Sequence, residues 1–403
     1  MMINIPQFIA SSITFRTKSM FAEDVEANKE KLCAEIENKS VLVIGGAGTI
    51  GASFIRAVLK FKPSKLFVVD INENGLTELT RDLRSTADGY VPETYLTYPI
   101  NYADPVFEKM FRKEGGFDIV ANFSAHKHVR SEKDLYSVEA LIKNNVINAR
   151  KLLDLLSEFP PKHFFCVSTD KAANPVNIMG ASKKIMEDMI MAYSSKYPIT
   201  TARFANVAFS NGSLLDGFIQ RMMKHQPLSA PNDVRRYFVS PNESGEICML
   251  ACMLGKSGEI YFPKLQPEQM LSFAEIATAF LKNFGYHAVE CESEEAARQM
   301  AKNRPDSDVN YPVFYFGSDT TGEKAYEEFY TDSEDVDFSG FHALGVIKNA
   351  PKRSMSEIDS LFSNLNQLFQ NTNSTKSDIV EEMKVFLINF DHEEKGKNLD
   401  SRM

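Results

Sequence analysis

Short apolar runs alternate with amphipathic stretches through the first half of the chain. Runs such as SVLVI (40–44) and KLFVVD (65–70) are apolar almost throughout, which is typical of strands buried on both faces of a parallel sheet. Between them, apolar residues recur at helical spacing, as in ASFIRAVLKF (52–61). Similar runs predict further strands near 94–99, at 117–123 and at 164–167. The alternation predicts an α/β fold with a doubly wound parallel sheet.

The regular alternation fades after TTARFANVAF (200–209), which we predict to be one further strand. We therefore predict an N-terminal helical extension, a nucleotide-binding α/β domain, a smaller substrate-binding domain and a C-terminal helical tail, at 1–38, 39–210, 211–345 and 346–403 respectively. The extension mixes apolar and charged positions as amphipathic helices do. It either covers an interface or caps its own subunit. In the tail, the polar NTNSTKS joins two predicted helices.

The composition narrows the class of protein. The chain has 403 residues, 43% of them hydrophobic, and a net charge of −9 with no basic block, so nucleic acid is not an expected partner. No apolar run reaches the roughly 18 residues that a membrane span needs. The five cysteines form no CxxC pair, which indicates no metal site and fits a reducing compartment. We expect a cytoplasmic protein without a membrane span.

A glycine-rich turn stands between the first predicted strand and the first predicted helix. In GGAGTIG, Gly45 permits a tight turn, Gly48 lets the backbone approach a pyrophosphate, and Gly51 allows close packing of helix and strand. The helix N-terminus then faces the phosphates. Asp70 ends the second strand, 19 residues after Gly51, where a carboxylate binds the ribose hydroxyls and repels a 2′-phosphate. This predicts NAD as cofactor; the alternative is a glycine turn without one.

An acid and a base follow the strand at 164–167, in the segment STDKAANPVNIMGASK. Asp170 and Lys171 are adjacent where reactive groups of an open α/β sheet meet the ligand. A helix is predicted to open around Met179, with Lys183 one turn later on the same face. Together with GGAGTIG, SAHKHV, RFANV and RRYFVSPNES, this segment resembles the extended short-chain dehydrogenase/reductases, whose nucleotide-binding domain is a Rossmann fold. More narrowly, it resembles the bacterial UDP-N-acetylhexosamine 4,6-dehydratases.

The resemblance implies a reaction without net redox change, in which the sugar's C4 is oxidised by hydride loss to NAD, water leaves across C5 and C6, and hydride returns to C6. Lys171 would take the C5 proton, which requires a neutral amine and a lowered pKa, and Asp170 would protonate the departing hydroxyl. Met179 stands where the superfamily usually has a catalytic Tyr. We predict that Asp170, helped by Thr169, accepts the O4 proton instead, and that Lys183 holds the nicotinamide ribose.

Further site residues follow from the resemblance. It implies cofactor contacts from the glycine turn and from two later loops, at Ala47, Thr49, Ile50, Asn101, Ser124 and Ala125, and substrate contacts at Lys127, His128, Asn206 and Arg236. His128 could instead be a packed polar residue. Thr320 and Thr321 replace the Arg-Pro usual before Gly-Glu-Lys, which leaves open whether the donor is UDP-GlcNAc or GDP-GlcNAc. We also expect a homo-oligomer.

Two other functions compete with the dehydratase. A nucleotide-sugar 4-epimerase would return the hydride to C4 and has no need of an adjacent acid and base. A non-catalytic NAD-binding regulator that lost its Tyr would have little reason to hold Asp170 beside Lys171.

Overall fold

The protein, seen as a computed structural model, is described at residues 4–318, 324, 326–348 and 350–392. Nine strands form the central sheet, and their bounds are β1 Ser40–Ile44, β2 Lys65–Val69, β3 Thr94–Tyr98, β4 Ile119–Asn122, β5 His163–Val167, β6 Ile199–Ala202, β11 Glu259–Pro263, β15 Asp335–Asp337 and β16 Leu344–Lys348. Seven shorter or peripheral strands are β7 Asn206–Val207, β8 Leu228–Pro231, β9 Arg235–Arg236, β10 Phe238–Val239, β12 Leu271–Ser272, β13 His287–Glu290 and β14 Asn310–Phe316.

The order of the central sheet is β3-β2-β1-β4-β5-β6-β11-β16-β15. The first seven strands in this order run parallel. At the far edge, β16 pairs antiparallel with β11, and β15 pairs antiparallel with β16. The order reverses between β1 and β4, so the crossover helices cover both faces and a crevice opens at the carboxyl ends of these two strands. The doubly wound α/β fold predicted from the apolar runs is confirmed.

Fifteen α-helices are present in the described ranges, together with short 3₁₀ and π turns. Their bounds are α1 Ile5–Phe8, α2 Ala22–Ala27, α3 Lys29–Ile36, α4 Thr49–Leu59, α5 Glu73–Ser85, α6 Pro105–Glu114, α7 Leu135–Ile142, α8 Asn148–Glu158, α9 Ile178–Tyr193, α10 Leu214–Met223, α11 Pro241–Leu254, α12 Phe273–Asn283, α13 Glu294–Asn303, α14 Met355–Gln370 and α15 Lys376–Phe386. None of these helices is long and apolar enough to cross a membrane.

The stretch 200–209 differs from the single strand that we predicted. β6 ends at Ala202, and β7 leaves the central sheet to pair with β10. Arg203, which lies between the two strands, is fully buried and bonds to carboxylates on other elements. The apolar pattern continues through Phe209, so it did not show where one strand ends and the next begins. A buried guanidinium requires charged partners, and Arg203 finds them outside the sheet.

The range 211–345 contributes to two parts of the molecule. β8, β13 and β14 form a separate parallel sheet, which packs with α10 and α12 around a second apolar cluster that includes Phe218 and Phe280. By contrast, α11 packs on α4 and β6, and β11 joins the central sheet. The substrate-side unit is therefore interleaved with the main sheet along the chain.

The N-terminal segment packs onto its own subunit. Phe8, Ile9 and Ile13 enter the second apolar cluster, whereas Leu32 and Ile36 enter the main core. Of the two interpretations of this extension, these contacts favour a cap on its own subunit over a cover for an interface. The two predicted tail helices are present as α14 and α15, and α15 packs against α9.

Candidate active site

The turn after β1 requires glycine at two positions. Gly45 has φ +75°, and a Cβ there would lie 2.6 Å from the backbone nitrogen of Ser124. A Cβ on Gly51 would lie 2.3 Å from the carbonyl oxygen of Gly45. β1 and β4 thus approach each other at the switch point, and α4 begins directly against the turn. A side chain at either glycine would displace backbone.

The N-terminus of α4 presents free amide groups to the crevice. Gly48 is its N-cap and offers no side-chain acceptor. The first-turn amides of Thr49, Ile50 and Gly51 have no acceptor within the helix, so they and the helix dipole can bind an anion. Next to them, the Ala47 amide donates to Asp70 Oδ2 at 3.0 Å. This anchors the carboxylate at the end of β2, beside the turn.

The other expected cofactor residues border the same crevice. Ser124 and Ala125 follow β4 and are half-buried, and the Ser124 amide donates to Asn122 Oδ1 at 3.0 Å. The side-chain oxygen of Asn101, after β3, accepts from the Ala103 amide at 2.9 Å. That bond closes a local turn, and a contact of Asn101 with adenine stays a prediction.

Asp170 and Lys171 form an ion pair just past the end of β5. The Lys171 Nζ lies 3.1 Å from Asp170 Oδ1, and Asp170 is only 4% exposed. The same oxygen accepts from the Thr169 hydroxyl at 2.8 Å and from the Lys171 amide at 2.9 Å. Three donors therefore converge on one carboxylate oxygen. The acid and the base singled out in the sequence therefore lie, with Thr169, in one polar cluster.

The pKa of Lys171 does not follow our expectation. Burial would lower the pKa of this amine, but the negative charges of Asp170 and Glu327 outweigh burial and raise it. The expectation of a lowered pKa is therefore wrong for the protein without substrate, because it left out the effect of the two carboxylates on the amine, Asp170 first and Glu327 second. The lysine is an ammonium ion in this state.

Helix α9 carries Met179 and Lys183 on one face. It begins at Ile178, where the Asn177 side chain accepts from the Gly180 amide. The Lys183 amine donates to the carbonyl oxygen of Val167, the last residue of β5, at 2.8 Å. Burial lowers the pKa of Lys183, against the opposing effects of Cys166 and Glu187. Met179, one helical turn before Lys183 on α9, is also buried.

The four expected substrate residues come from two regions of the chain, two of them after β4 and two on β7 and β9. Lys127 and His128 follow β4 and are exposed; the Lys127 amine donates to the Asn211 carbonyl at 2.9 Å, and the His128 ring lies beside Gly212. Asn206 is half-buried in β7. Arg236 is 5% exposed and donates to the Lys324 carbonyl at 3.0 Å. Arg236 thus contacts the backbone at Lys324, three residues before another charged residue of the site, Glu327.

Glu327 is the main site residue that sequence reasoning missed. Its Oε1 lies 3.7 Å from Lys171 Nζ and 3.8 Å from Arg236 Nη2. Burial and the charge of Asp170 raise its pKa, while Lys171, Arg236 and Lys324 lower it less. It comes from a loop far along the chain, and nothing in its local pattern separates it from the neighbouring Glu328. We call the four residues Asp170, Lys171, Glu327 and Arg236 the cleft cluster.

Two buried polar residues near α9 were also missed. The Asn145 side chain accepts from the His126 amide through its oxygen and donates to the His126 carbonyl through its nitrogen. The same nitrogen donates to the Ser182 hydroxyl at 3.0 Å. Glu132 Oε1 accepts from the Met179 amide at 2.8 Å. Asn145 lies in a π turn at Lys143–Ile147. The poor helix-forming pair Asn144-Asn145 inside an apolar helix was the available signal.

A second buried ionic cluster supports α9 and the loop that carries Glu327. Arg203 is 0% exposed and makes bidentate contacts with Glu187 of α9 at 2.9 and 2.7 Å. It also contacts both carboxylate oxygens of Glu334 at 2.9 Å and donates to the Phe329 carbonyl at 3.0 Å. We call Arg203, Glu187 and Glu334 the Arg203 cluster.

The family follows from a comparison with known sequence families. The profile described as "Polysaccharide biosynthesis protein" matches residues 41–348, which is most of the chain. The chain belongs to this family. The matched region includes both the glycine turn and the cleft cluster. Thr320 and Thr321, the departure noted in the sequence, lie outside the residues that the structure describes.

Proteins with similar sequences have several different names. An uncharacterized membrane protein of Methanocaldococcus jannaschii is 30% identical over 74% of this chain and 82% of its own length. A UDP-N-acetylglucosamine 4,6-dehydratase (inverting) of Campylobacter jejuni is 24% identical over 68% and 80%. A UDP-glucose 4-epimerase of Rickettsia felis is 24% identical over 90% and 99%. The chain spans about half the length, 48%, of the Staphylococcus aureus protein CapD.

Solved structures share the fold. Pen from Bacillus thuringiensis matches with a TM-score of 0.62 and 21% identity, over 82% of this chain and 98% of that chain. WbmF of Bordetella bronchiseptica, solved in complex with NAD+, matches with a TM-score of 0.50 and 18% identity, over 68% and 90%.

Proposed function

We propose that the protein is a nucleotide-sugar 4,6-dehydratase that converts UDP-GlcNAc, or another NDP-N-acetylglucosamine, to its 4-keto-6-deoxy product. The ion pair of Asp170 and Lys171 at the end of β5 carries this proposal. Elimination of water needs an acid and a base close to one carbon–carbon bond, and this pair supplies both. The named dehydratase among the relatives supports the same reaction.

We propose NAD as the cofactor. The first-turn amides of α4 would hold its pyrophosphate, Asp70 its ribose, and Lys183 the ribose next to the nicotinamide. Gly51 packs so closely on Gly45 that a Cβ would not fit, and Gly48 caps the helix without a side chain, which fits a backbone turn around a pyrophosphate. When bound, NAD would accept a hydride from C4 and return one to C6. The NAD+ complex of the similar WbmF supports this assignment.

The residues of the cleft would move the protons. Asp170 would take the O4 proton, since Met179 has no acidic hydrogen and its thioether is a poor base. Thr169 holds Asp170 in place through its hydroxyl. Asp170 would then give this proton to the hydroxyl that leaves C6, so one carboxylate serves two steps. Arg236 would pair with the diphosphate through its planar fork of donors, and Lys127, His128 and Asn206 would contact the sugar.

One observation favours a second candidate, a nucleotide-sugar 4-epimerase. The match to the Rickettsia felis epimerase extends over 90% of this chain and 99% of that protein. An epimerase would use the same cofactor site but would return the hydride to C4. It gives no role to the adjacent Asp170 and Lys171. The homo-oligomeric state and the cytoplasmic location stay predictions from the sequence.

The test uses purified protein in deuterated water with UDP-GlcNAc or GDP-GlcNAc and no added NAD. Loss of water with deuterium at C5, read by mass spectrometry and NMR, supports the dehydratase, identifies the nucleotide and gives the C5 configuration. Unchanged mass with an inverted C4 contradicts it in favour of the epimerase. Bound NAD without turnover of either sugar favours the non-catalytic regulator.

A further inference from the structure

Lys171 lies between two carboxylates. Asp170 Oδ1 is 3.1 Å from its amine, and Glu327 Oε1 is 3.7 Å away. The Glu327 side chain is 4% exposed, whereas 17% of the Lys171 side chain is exposed to the cleft. Arg236 lies 3.8 Å from the same Glu327 oxygen, and Lys324 comes three residues before Glu327. Glu327 is therefore a buried charge behind the amine that faces the cleft.

This arrangement poses a problem for proton abstraction. An ammonium ion has no free electron pair, so Lys171 must lose a proton before it can take one from C5. The two carboxylates hold that proton on the amine in the free protein, because each favours the charged form. Some group must accept it once the sugar is bound.

Asp170 is poorly suited to accept it. Its Oδ1 already accepts from the Thr169 hydroxyl and from the Lys171 amide, in addition to the Lys171 amine. Under the proposed function, Asp170 also holds the O4 proton until the C6 hydroxyl leaves. Glu327 Oε1 lies 3.7 Å from the amine, outside hydrogen-bond distance, so the transfer requires the two groups to approach each other when substrate binds. Burial together with the charge of Asp170 favours the protonated form of Glu327.

We propose that Glu327 accepts the proton of Lys171 when substrate binds and so converts the lysine into the base for C5. The inference rests on the dehydratase function proposed above. One N–H bond of the ammonium ion breaks and one O–H bond forms on Glu327, which leaves a neutral amine and a neutral carboxyl group. The amine then takes the C5 proton. After hydride returns to C6, Lys171 gives a proton back to C5 and recovers its own from Glu327.

The loop that carries Glu327 is held for this purpose by the Arg203 cluster. Arg203 donates to the Phe329 carbonyl, two residues after Glu327, and pairs with Glu334 further along the same loop. Its other partner, Glu187, is one turn after Lys183 on α9. The buried guanidinium thus fixes Glu327 relative to the catalytic helix. Glu327 acts through Lys171 and need not touch the sugar.

The first test is the pH profile of the dehydration rate in Glu327→Gln, with Glu328→Gln as the matched control. Glu328 is exposed and bonds Asn174, so its variant should behave as the wild type. Without an internal acceptor, Lys171 must release its proton to solvent. We expect the Glu327→Gln rate to fall about 100-fold at pH 7 and to rise about tenfold per pH unit, whereas the wild-type rate stays level.

A conservative variant separates the proton transfer from packing. Glu327→Asp keeps a carboxyl group with a shorter reach, so it should keep the level profile at a reduced rate. A wild-type profile in Glu327→Gln, or a solvent-dependent one in Glu328→Gln as well, would overturn the proposal. Bound NAD and the melting temperature, measured on each variant, identify one that fails to fold, in which case Glu327→Asp decides.

A second readout needs no turnover. The reactivity of the Lys171 amine toward trinitrobenzenesulfonate, followed by peptide mass spectrometry across a pH series, reports its own titration. We expect the midpoint to move to lower pH in Glu327→Gln but not in Glu328→Gln, because one of two stabilising charges is removed. If the wild type dehydrates neither sugar, the proposed function fails. The labelling still decides this inference, since an unmoved midpoint would overturn it.

Discussion

The molecule contains two clusters of buried acidic and basic side chains that differ in how tightly they are paired. In the Arg203 cluster, a guanidinium with no exposure contacts Glu187 and Glu334 at 2.7–2.9 Å through paired oxygens. In the cleft cluster, the ion-pair distances are 3.1, 3.7 and 3.8 Å, and part of the Lys171 side chain is exposed. A bidentate pair with a guanidinium is strong, and arginine does not release its proton in proteins. Lysine, by contrast, can change its protonation state when its surroundings change.

The same contrast appears in the pKa values of the two glutamates. Burial raises the pKa of Glu187, but Arg203 outweighs burial and lowers it overall. For Glu327, burial and Asp170 prevail over its cations, and the pKa is raised. Under the proposed function, the cleft cluster carries the chemistry and the Arg203 cluster stabilises the fold, although both use the same types of residue.

The largest expected effect is on activity and belongs to the cleft cluster. Asp170→Asn removes the proposed acceptor of the O4 proton and the acid for the C6 hydroxyl, so dehydration should fall by about 10³-fold. The amide has the size of the carboxylate and Lys171 keeps Glu327 as a charge partner, so the loss of stability should be smaller than for a buried charge left without any partner. Single-turnover absorbance at 340 nm follows the reduction of bound NAD, and mass spectrometry follows water loss. A variant that still reduces bound NAD at the wild-type rate would refute this role of Asp170.

The Arg203 cluster should show the opposite result. Arg203→Leu leaves Glu187 and Glu334 buried without their cation, so the free energy of unfolding should fall by about 3–5 kcal/mol. Urea denaturation measures it. Arg56→Gln is the control, since Arg56 pairs with Asp82 on the surface and its loss should cost about 0–1 kcal/mol. Equal losses in the two variants would mean that the buried cluster has no special role.

The two clusters should also respond to pH with opposite signs. Glu187 has a lowered pKa, so the stability it contributes is present above the unfolded pKa of about 4.3 and is lost as pH falls through the folded pKa. Glu327 has a raised pKa, so stability decreases as pH rises from about 4.3 through its folded pKa. In urea denaturation across pH, the contribution of Glu327 should make the wild type less stable as pH rises above about 4.3. Glu327→Gln should lack this decrease in stability. A steeper decrease in this variant would contradict the assignment.

The smallest effect should come from the rim of the Arg203 cluster. Lys184 lies 3.9 Å from Glu187 and 2.7 Å from Asp188, with 19% of its side chain exposed. Lys184→Gln should lower the free energy of unfolding by about 1 kcal/mol, because Glu187 keeps Arg203 and Asp188 keeps Arg353 as partners. A loss as large as that of Arg203→Leu would extend the buried cluster to this residue. The same urea titration serves for both variants.

Sequence reasoning succeeded where the signal is local. The strands of the parallel sheet and the doubly wound fold follow from apolar runs with short connections, and the turn at Gly45–Gly51 needs only neighbouring residues. The adjacency of Asp170 and Lys171 placed half of the cleft cluster. Contacts between distant segments gave no such signal. Glu327 reaches Lys171, and Arg203 reaches Glu334, only because the chain folds back, and the apolar pattern around Arg203 predicted a continuous strand instead.

The pairing of Arg203 with Glu334 has a consequence for the order in which the chain is made. A nascent chain emerges from the ribosome N-terminal end first, and domains fold as they appear. The strands from β1 to β6 can assemble early, when Arg203 can pair only with Glu187. The Asp24 carboxylate accepts hydrogen bonds from the amides of His342 and Ala343, which are made much later. We expect the nascent protein to hold a nucleotide-binding sheet well before Glu327 arrives. Chemistry at the cleft would begin only when synthesis has passed the loop that completes it.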